Sequence, residues 1–314
     1  MRLGVLDVGS NTVHLLVVDA HRGGHPTPMH DDRWLLRLAE HVGDDDVLSK
    51  AGEKALLKAV QKACEVAGEQ GCDEVMALVT SAIREARNGM EVLDRVRQRT
   101  GVDLQVTSGE EEARLTFLAV RRWFGWSAGQ LLVLDIGGGS LELAAGFDEE
   151  PEVALSLPLG AGRMTRRFLP EARTGGRPDL AALDELRDHA DELLAPAAKK
   201  LRKVGTPDLV AATSKTFRTL ARLTGAAPYS AGLRAPRELQ LESLEQLTGF
   251  VSRIESDALG ELRGVSVDRA HQVPAGAVVA TATLRALAVP CVRICPWALR
   301  EGVILRRLDS LGGP

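Results

Sequence analysis

Two short stretches carry the residue types that phosphate binding requires. Asp135-Ile136-Gly137-Gly138-Gly139-Ser140-Leu141-Glu142 sets an Asp, three glycines and a hydroxyl in succession. Consecutive glycines let the backbone take φ > 0 and approach a ligand with no Cβ in the way. Such a turn aims successive N–H groups in one direction, which makes a nest for phosphate oxygens. An Asp at the head of the nest is placed to hold Mg²⁺, directly or through water. An ordinary glycine-rich hairpin turn would read the same, and this stretch alone leaves the two open.

The second stretch, Asp7-Val8-Gly9-Ser10-Asn11-Thr12, shifts that balance toward the nest. Laid over the first with an offset of 128 (135 − 7), Leu3 falls on Leu131, Val5 on Val133 and Leu6 on Leu134. Asp7 then falls on Asp135, Gly9 on Gly137, and Thr12 on the hydroxyl of Ser140. A strand–Asp-x-Gly–turn–strand unit used twice implies two copies of one domain type. Two such hairpins facing each other across a cleft would enclose a phosphate chain from both sides.

Further candidates lie between the two turns. Arg84 follows a strand at 74–80, within Ser81-Ala82-Ile83-Arg84-Glu85-Ala86. Open α/β sheets bind ligands beyond the C-terminal ends of their strands, and a guanidinium there offers phosphate oxygens a planar fork. An exposed helical Arg paired with a nearby Glu would explain the same residue, and both readings stay open. Ser108-Gly109-Glu110-Glu111-Glu112 has the form of a helix start, with Ser108 and Glu111 as a capping box. Acidic residues also suit the positive end of the helix dipole. That accounts for Ser108, Glu110 and Glu111 and does not require Glu112. Crowding of three carboxylates would raise the pKa of one and make it a general base.

The elements that must position these groups follow from periodicity and punctuation. Thr12–Asp19 reads as a strand with Val13, Leu15 and Val17 on one face, and 34–38 as a third strand. A β-turn loop holding His21, His25 and His30 separates them, and these histidines read as solvent-exposed turn residues, not a metal cluster. Residues 49–70 form an amphipathic helix. Residues 74–80 form a strand, and the helix after it is capped by Thr80 or Ser81 and closed by Asn88-Gly89. A helix at 90–100 and a strand at 102–106 complete the first half. The run from Arg121 to Gly129 joins the halves, giving domains 1–126 and 127–298, with 299–314 packing back on the first.

The second half repeats the plan, with a strand at Val153–Leu157 and a helix at 179–203. A strand-turn-helix at 208–216 resembles a third ligand-facing turn. Helices at 238–256 and 275–288, a strand at Cys291–Ile294 and a closing helix from Trp297 follow. Arg163, Arg166, Arg167, Arg173 and Arg177, with Lys199, Lys200, Arg202 and Lys203, read as a solvated face. They are also the candidate track for the distal part of a polyanion.

Composition bounds the rest. A chain of 314 residues exceeds a typical single core, and 45% hydrophobic with 26% charged residues is ordinary for a soluble globular protein. A net charge of −4 gives no nucleic-acid footprint, so an anion site must be local. Eleven aromatics with a single Tyr supply little base-stacking material. Cys64, Cys72, Cys291 and Cys295 match no zinc spacing, and without a signal peptide they read as reduced core residues of a cytoplasmic protein. The apolar region 273–299 is broken by Pro274, Arg285, Pro290, Arg293 and Pro296, so it reads as core and not as a membrane span.

Taken together, these motifs resemble the exopolyphosphatase and guanosine-pentaphosphate phosphohydrolase family. The resemblance covers nearly the whole chain through Asp7–Thr12, Thr80–Ala86, Ser108–Ala113 and Asp135–Glu142, supported by Leu157-Pro158-Leu159-Gly160 and Leu299-Arg300-Glu301-Gly302. It implies an actin-like (ribonuclease H-like) fold of two duplicated α/β domains, each with a mixed five-stranded sheet, around an interdomain cleft. It implies release of terminal orthophosphate from inorganic polyphosphate with Mg²⁺, Mn²⁺ being the alternative ion, in a cytoplasmic homodimer tied to the stringent response. Glu112 then corresponds to the general base and Arg84 to the ligand of the reacting phosphoryl. Gly9, Ser10, Asn11, Thr12, Gly137, Gly138, Gly139 and Ser140 correspond to the phosphate turns, and Asp7, Asp135 and Glu142 to the metal ligands.

Two departures stand out. Thr12 replaces the family's usual Ser and keeps the hydroxyl, while Cys295-Pro296-Trp297-Ala298 stands where the family often has Ser-Asp-Tyr-Gly. Longer members continue into a helical C-terminal region, so a chain ending at Pro314 reads as the short form, expected to favour shorter polymers. The alternative substrate is guanosine pentaphosphate. A kinase of the acetate or sugar type and a non-catalytic actin-like nucleotide-binding module are the other readings. No nucleic acid or membrane partner is expected.

Overall fold

The computed structural model describes residues 1–311 except Arg22, Gly23, His25 and Asp44. The chain divides into two compact units, Met1–Ala119 with Leu299–Pro314, and Val120–Ala298.

The first unit opens with β1 (Arg2–Val8), β2 (Thr12–Asp19) and β3 (Pro28–Leu35). It continues with α1 (Lys50–Glu69), β4 (Glu74–Val79), α2 (Ser81–Arg84), α3 (Gly89–Thr100), β5 (Gln105–Val106) and α4 (Gly109–Phe124), whose residues from Val120 on fall in the second unit. The sheet order is β3-β2-β1-β4-β5, with β1 antiparallel to β2 and parallel to β4. Both faces of β1 and β2 are buried, so these strands read as near-continuous apolar runs. Leu6, Val8, Val13, Leu15 and Val17 pack with α1 and α3, whereas Leu3, Val5, Leu16 and Val18 form a separate cluster on the opposite face.

The second unit holds β6 (Leu131–Ile136), β7 (Leu141–Gly146), β8 (Val153–Leu157), α5 (Ala161–Phe168), α6 (Pro170–Arg173) and α7 (Leu180–Leu201). Next come β9 (Leu209–Thr213), α8 (Ser214–Leu223), β10 (Glu238–Gln240), α9 (Leu241–Val251), α10 (Ser256–Leu259), α11 (Val273–Ala286) and β11 (Cys291–Ile294). Its sheet order is β10-β11-β9-β6-β7-β8, again with β6 antiparallel to β7 and parallel to β9. Nearly every residue of α11 is buried, with Pro274 in its first turn where a missing N–H costs nothing. The chain returns to the first unit as α12 (Leu299–Ser310), whose Val303, Ile304 and Leu308 cover Leu3, Val5, Leu16 and Val18. Among the described residues no helix is long and apolar enough to cross a membrane.

The sequence expectations are corrected in several places. The second sheet has six strands, not five, because Glu238–Gln240 extends along β11 where a helix was expected. The helix there begins only at Leu241. β3 begins at Pro28, inside the expected loop, as a polar edge strand that pairs with β2. His30 therefore lies in a strand, with Nε2 3.0 Å from Asp32, while His21 is exposed and His25 lies outside the described residues. Asn88-Gly89 opens α3 and does not close α2, which ends at Arg84. The Asn88 amide instead bridges the backbone N–H and carbonyl of Leu48, both at 2.9 Å. Of the expected strand at 102–106 only Gln105–Val106 forms. Of the four cysteines only Cys295 is fully buried, and partial burial pushes the thiols of Cys64, Cys72 and Cys291 up.

Candidate active site

The two glycine turns are built alike in their separate units. Gly9 N–H donates to Thr12 O at 2.9 Å, and Gly137 N–H donates to Ser140 O at 2.8 Å. Neither Gly9 nor Gly137 is left-handed, so φ > 0 is not what these two glycines supply. The register places Asp7 opposite His14 and Asp135 opposite Glu142, the same pairing offset by 128 (135 − 7 and 142 − 14). Residues directly opposed in an antiparallel ladder project from the same face.

In the first unit, Ser10 and Asn11 are buried at the turn tip. The Asn11 carbonyl accepts the N–H groups of Leu36 and Arg37, both at 2.9 Å, which ties the turn to the end of β3. Beside β1, the parallel strand β4 delivers the buried hydroxyls of Thr80 and Ser81 and then Arg84. Arg84 donates from Nη1 to Thr107 O at 2.6 Å and to the carboxylate of Glu112. The side chains are only 19% and 11% exposed, so Arg84 is not the exposed helical Arg that the sequence left open. Glu112 sits in the first turn of α4, where the Ser108 hydroxyl accepts the N–H of Glu111 at 3.1 Å. The Glu111 carboxylate pairs with Arg306 of α12, and this takes it out of the crowded trio. Arg300, also on α12, brings Nη1 to 4.0 Å from Asp7 Oδ2.

In the second unit the turn is buttressed by α5. Ala161 N–H donates to Gly137 O at 3.0 Å and Arg163 N–H to Gly138 O at 2.9 Å. Arg163 Nε donates to Gly139 O at 2.8 Å. These contacts satisfy donors of the first helical turn that have no partner within the helix. With the carbonyls so engaged, no backbone carbonyl among the described residues takes the N–H groups of Gly138, Gly139 or Ser140. Gly160 lies against the Gly139–Ser140 peptide so closely that a Cβ would overlap it. Arg163, read from sequence as part of a solvated face or a polyanion track, uses its Nε to hold the turn. The expectation also missed Ser156, whose hydroxyl donates to the buried Glu142 carboxylate at 2.8 Å from the neighbouring strand. Sequence gave little sign of these supports beyond the glycine after Leu159.

Asp135 and Glu142 stand opposite each other on β6 and β7 and are the two carboxylates that could hold a metal there, since no group of three or more His, Cys, Asp or Glu among the described residues could do so. Such a set suits Mg²⁺, which binds through one or two carboxylates and keeps water and substrate phosphate oxygens in its remaining positions. It does not suit zinc, which takes three or four protein ligands. The Cys295–Ala298 departure is packed into the unit: Trp297 is buried edge-on against Trp123 at 5.3 Å, and its carbonyl accepts the Thr213 hydroxyl at 3.1 Å.

Known proteins bear on this arrangement. Exopolyphosphatase 1 of Mycobacterium tuberculosis is 58% identical over 310 residues, covering 99% of this chain and 89% of the relative. Exopolyphosphatase 1 of Mycobacterium leprae is 57% identical over 310 residues, covering 99% and 90%. A crystal structure of an exopolyphosphatase from Cytophaga hutchinsonii matches with a TM-score of 0.87 at 23% identity, covering 99% of this chain and 98% of that one. A Ppx/GppA family member from Aquifex aeolicus matches with a TM-score of 0.82 at 23% identity, covering 100% and 99%. These two structures speak for the fold, the duplicated actin-like α/β architecture. The profile of the Ppx/GppA phosphatase family matches residues 17–311. Duplicated turns, the Arg84–Glu112 pair and a match along almost the whole chain lead to one conclusion: this protein belongs to the Ppx/GppA phosphatase family.

Proposed function

We propose that this protein is an exopolyphosphatase that hydrolyses terminal orthophosphate from inorganic polyphosphate with Mg²⁺. The observation that carries the reading is the pairing of Arg84 with Glu112, which folding gathers from 28 residues apart in the unit that holds the first glycine turn. The 57–58% identical relatives named exopolyphosphatase support polyphosphate as the substrate. The guanosine pentaphosphate alternative is not favoured by these relatives.

Phosphoanhydride hydrolysis asks the protein mainly for position and charge stabilisation. The N–H groups of Gly138, Gly139 and Ser140 are oriented donors for phosphate oxygens, and Gly9, Ser10, Asn11 and Thr12 supply the equivalent turn in the other unit. Arg84 turns part of its fork from Glu112 to the oxygens of the reacting phosphoryl. Glu112, relieved of that donor, takes a proton from water as the water oxygen bonds to phosphorus. The terminal P–O anhydride bond breaks, and its electron pair leaves with the penultimate phosphate. Asp135 and Glu142 would hold the Mg²⁺ ion, which when bound neutralises charge on the phosphate oxygens.

Purified protein with Mg²⁺ is incubated separately with polyphosphate, guanosine pentaphosphate and ATP, with Glu112→Gln as control. Initial phosphate release fastest from polyphosphate and abolished in the control is the expected result. Faster release from guanosine pentaphosphate would reverse the substrate assignment.

A further inference from the structure

The duplicated turns have diverged in charge. Opposite Asp135 stands a second carboxylate, Glu142, whereas the equivalent position opposite Asp7 is His14. His14 is buried with Nε2 2.8 Å from Asp31 Oδ2 on β3, within ion-pair range but without the geometry of a hydrogen bond. The charge brought to Asp7 is instead the Arg300 guanidinium at 4.0 Å. That is ion-pair range without a hydrogen bond, so Arg300's donors are not consumed, and its Nε is buried with no protein acceptor among the described residues. Arg300 lies in the first turn of α12, where the helix dipole disfavours positive charge. A buried donor without an acceptor also costs stability. A side chain kept at such a cost, beside a phosphate turn, is explained by an anionic ligand.

Resting on the polyphosphate reading above, we infer that Arg300 is a substrate-binding residue that gives the first turn the positive charge the second turn draws from its metal ion. Asp7 orients Arg300 and is not a metal ligand, and the metal belongs to Asp135 and Glu142. The fold supports this division. Alternation along β1 puts Asp7 on the face of Leu3 and Val5, which α12 covers. Gly302 then lets α12 lie against the Leu115 carbonyl with no side chain between them, which fixes Arg300 over that face.

Two measurements on the full chain test this. Mn²⁺ binding without substrate, read by electron paramagnetic resonance, is expected to be lost in Asp135→Asn and Glu142→Gln and retained in Asp7→Asn and Arg300→Gln. Phosphate release at saturating Mg²⁺ is expected to show KM for polyphosphate raised about tenfold in Arg300→Gln, the change that loss of one charge-assisted hydrogen bond brings. The Mg²⁺ half-saturation of that variant should stay unchanged. Arg300→Lys keeps the charge and loses the fork; an intermediate KM supports the assignment and keeps the test open if the Gln variant does not fold. Loss of Mn²⁺ binding in Asp7→Asn, or a wild-type KM in Arg300→Gln, overturns the inference. A wild-type chain that releases no phosphate from polyphosphate defeats the functional reading itself, while the Mn²⁺ measurement still decides where the metal binds.

Discussion

Gly302 of α12 lies directly against the carbonyl oxygen of Leu115 on α4, and a Cβ at residue 302 would overlap that oxygen. This crossing sets two side chains of the proposed site at once, since Glu112 is three residues before Leu115 and Arg300 two before Gly302. Gly302→Ala therefore opposes two effects. Helix propensity alone would stabilise by up to about 1 kcal/mol, while overpacking against a rigid carbonyl costs roughly 1–3 kcal/mol. Net destabilisation in denaturant or thermal unfolding is the expected outcome, with a loss of turnover. A more stable variant would show that α12 and α4 separate freely.

Glu112→Gln keeps the shape and an acceptor for Arg84 but cannot take a proton. Loss of a general base costs about 10²–10⁴-fold, so kcat should fall by that much with little change in KM. Near-normal turnover in both Glu112→Gln and Glu112→Ala would remove Glu112 from the base role.

Ser156→Ala strips the buried Glu142 carboxylate of the hydroxyl that donates to it at 2.8 Å. Partners that orient a metal-binding side chain are worth about 10–100-fold in metal affinity. The Mg²⁺ half-saturation for turnover should therefore rise at least about tenfold, and excess Mg²⁺ should restore activity. An unchanged Mg²⁺ dependence would argue that Glu142 needs no such support.

Gly160→Ala drives a methyl group into the Gly139–Ser140 peptide. Either the turn or the start of α5 must move, and both carry the arrangement that leaves Gly138, Gly139 and Ser140 N–H groups available. KM for polyphosphate should rise more than it does for an alanine placed at Gly249, where a Cβ meets open space. Equal values for the two variants would exclude the buttress.

His189 on α7 gives a pH-dependent signal away from the turns. Burial and the neighbouring Arg167 guanidinium both push its pKa below the usual value of 6.5. Arg167 can only donate, so His189 Nε2, 3.1 Å from Arg167 Nη1, is the acceptor and the ring is neutral. Between the folded and unfolded pKa values the unfolded chain binds more protons, so stability rises with pH. The stabilisation from neutral His189 is complete above about 6.5 and is lost as pH falls through the lower folded value. A histidine titration by NMR should place His189 below 6.5, and Arg167→Ala should raise it. A midpoint at or above 6.5 in the wild type would contradict the packing of Arg167 on His189.

The sequence by itself determined the duplication and most of the elements, because both are written in local patterns. Apolar runs ending in Asp-x-Gly specify a buried strand and its turn wherever they occur, and the shared register of Asp7–His14 and Asp135–Glu142 follows from equal turn lengths. The helix starts expected at 49 and 179 were legible because what sets them is local: Ser49 and Asp179 accept the N–H groups of Gly52 and Ala181, within three residues of themselves. What failed locally were segments whose state depends on a neighbour. Glu238–Gln240 fits a helical pattern and becomes a strand because β11 offers it an open edge. The polar β3 is held by β2 in the same way. The site itself was decided by tertiary structure. Residue types marked Arg84 and Glu112 as candidates, but only packing brings them into contact from 28 residues apart. Arg300 reaches Asp7 from the far end of the chain for the same reason. Helix crossings place such side chains through close backbone approach at glycines such as Gly302, and no local periodicity encodes which backbone that glycine will meet.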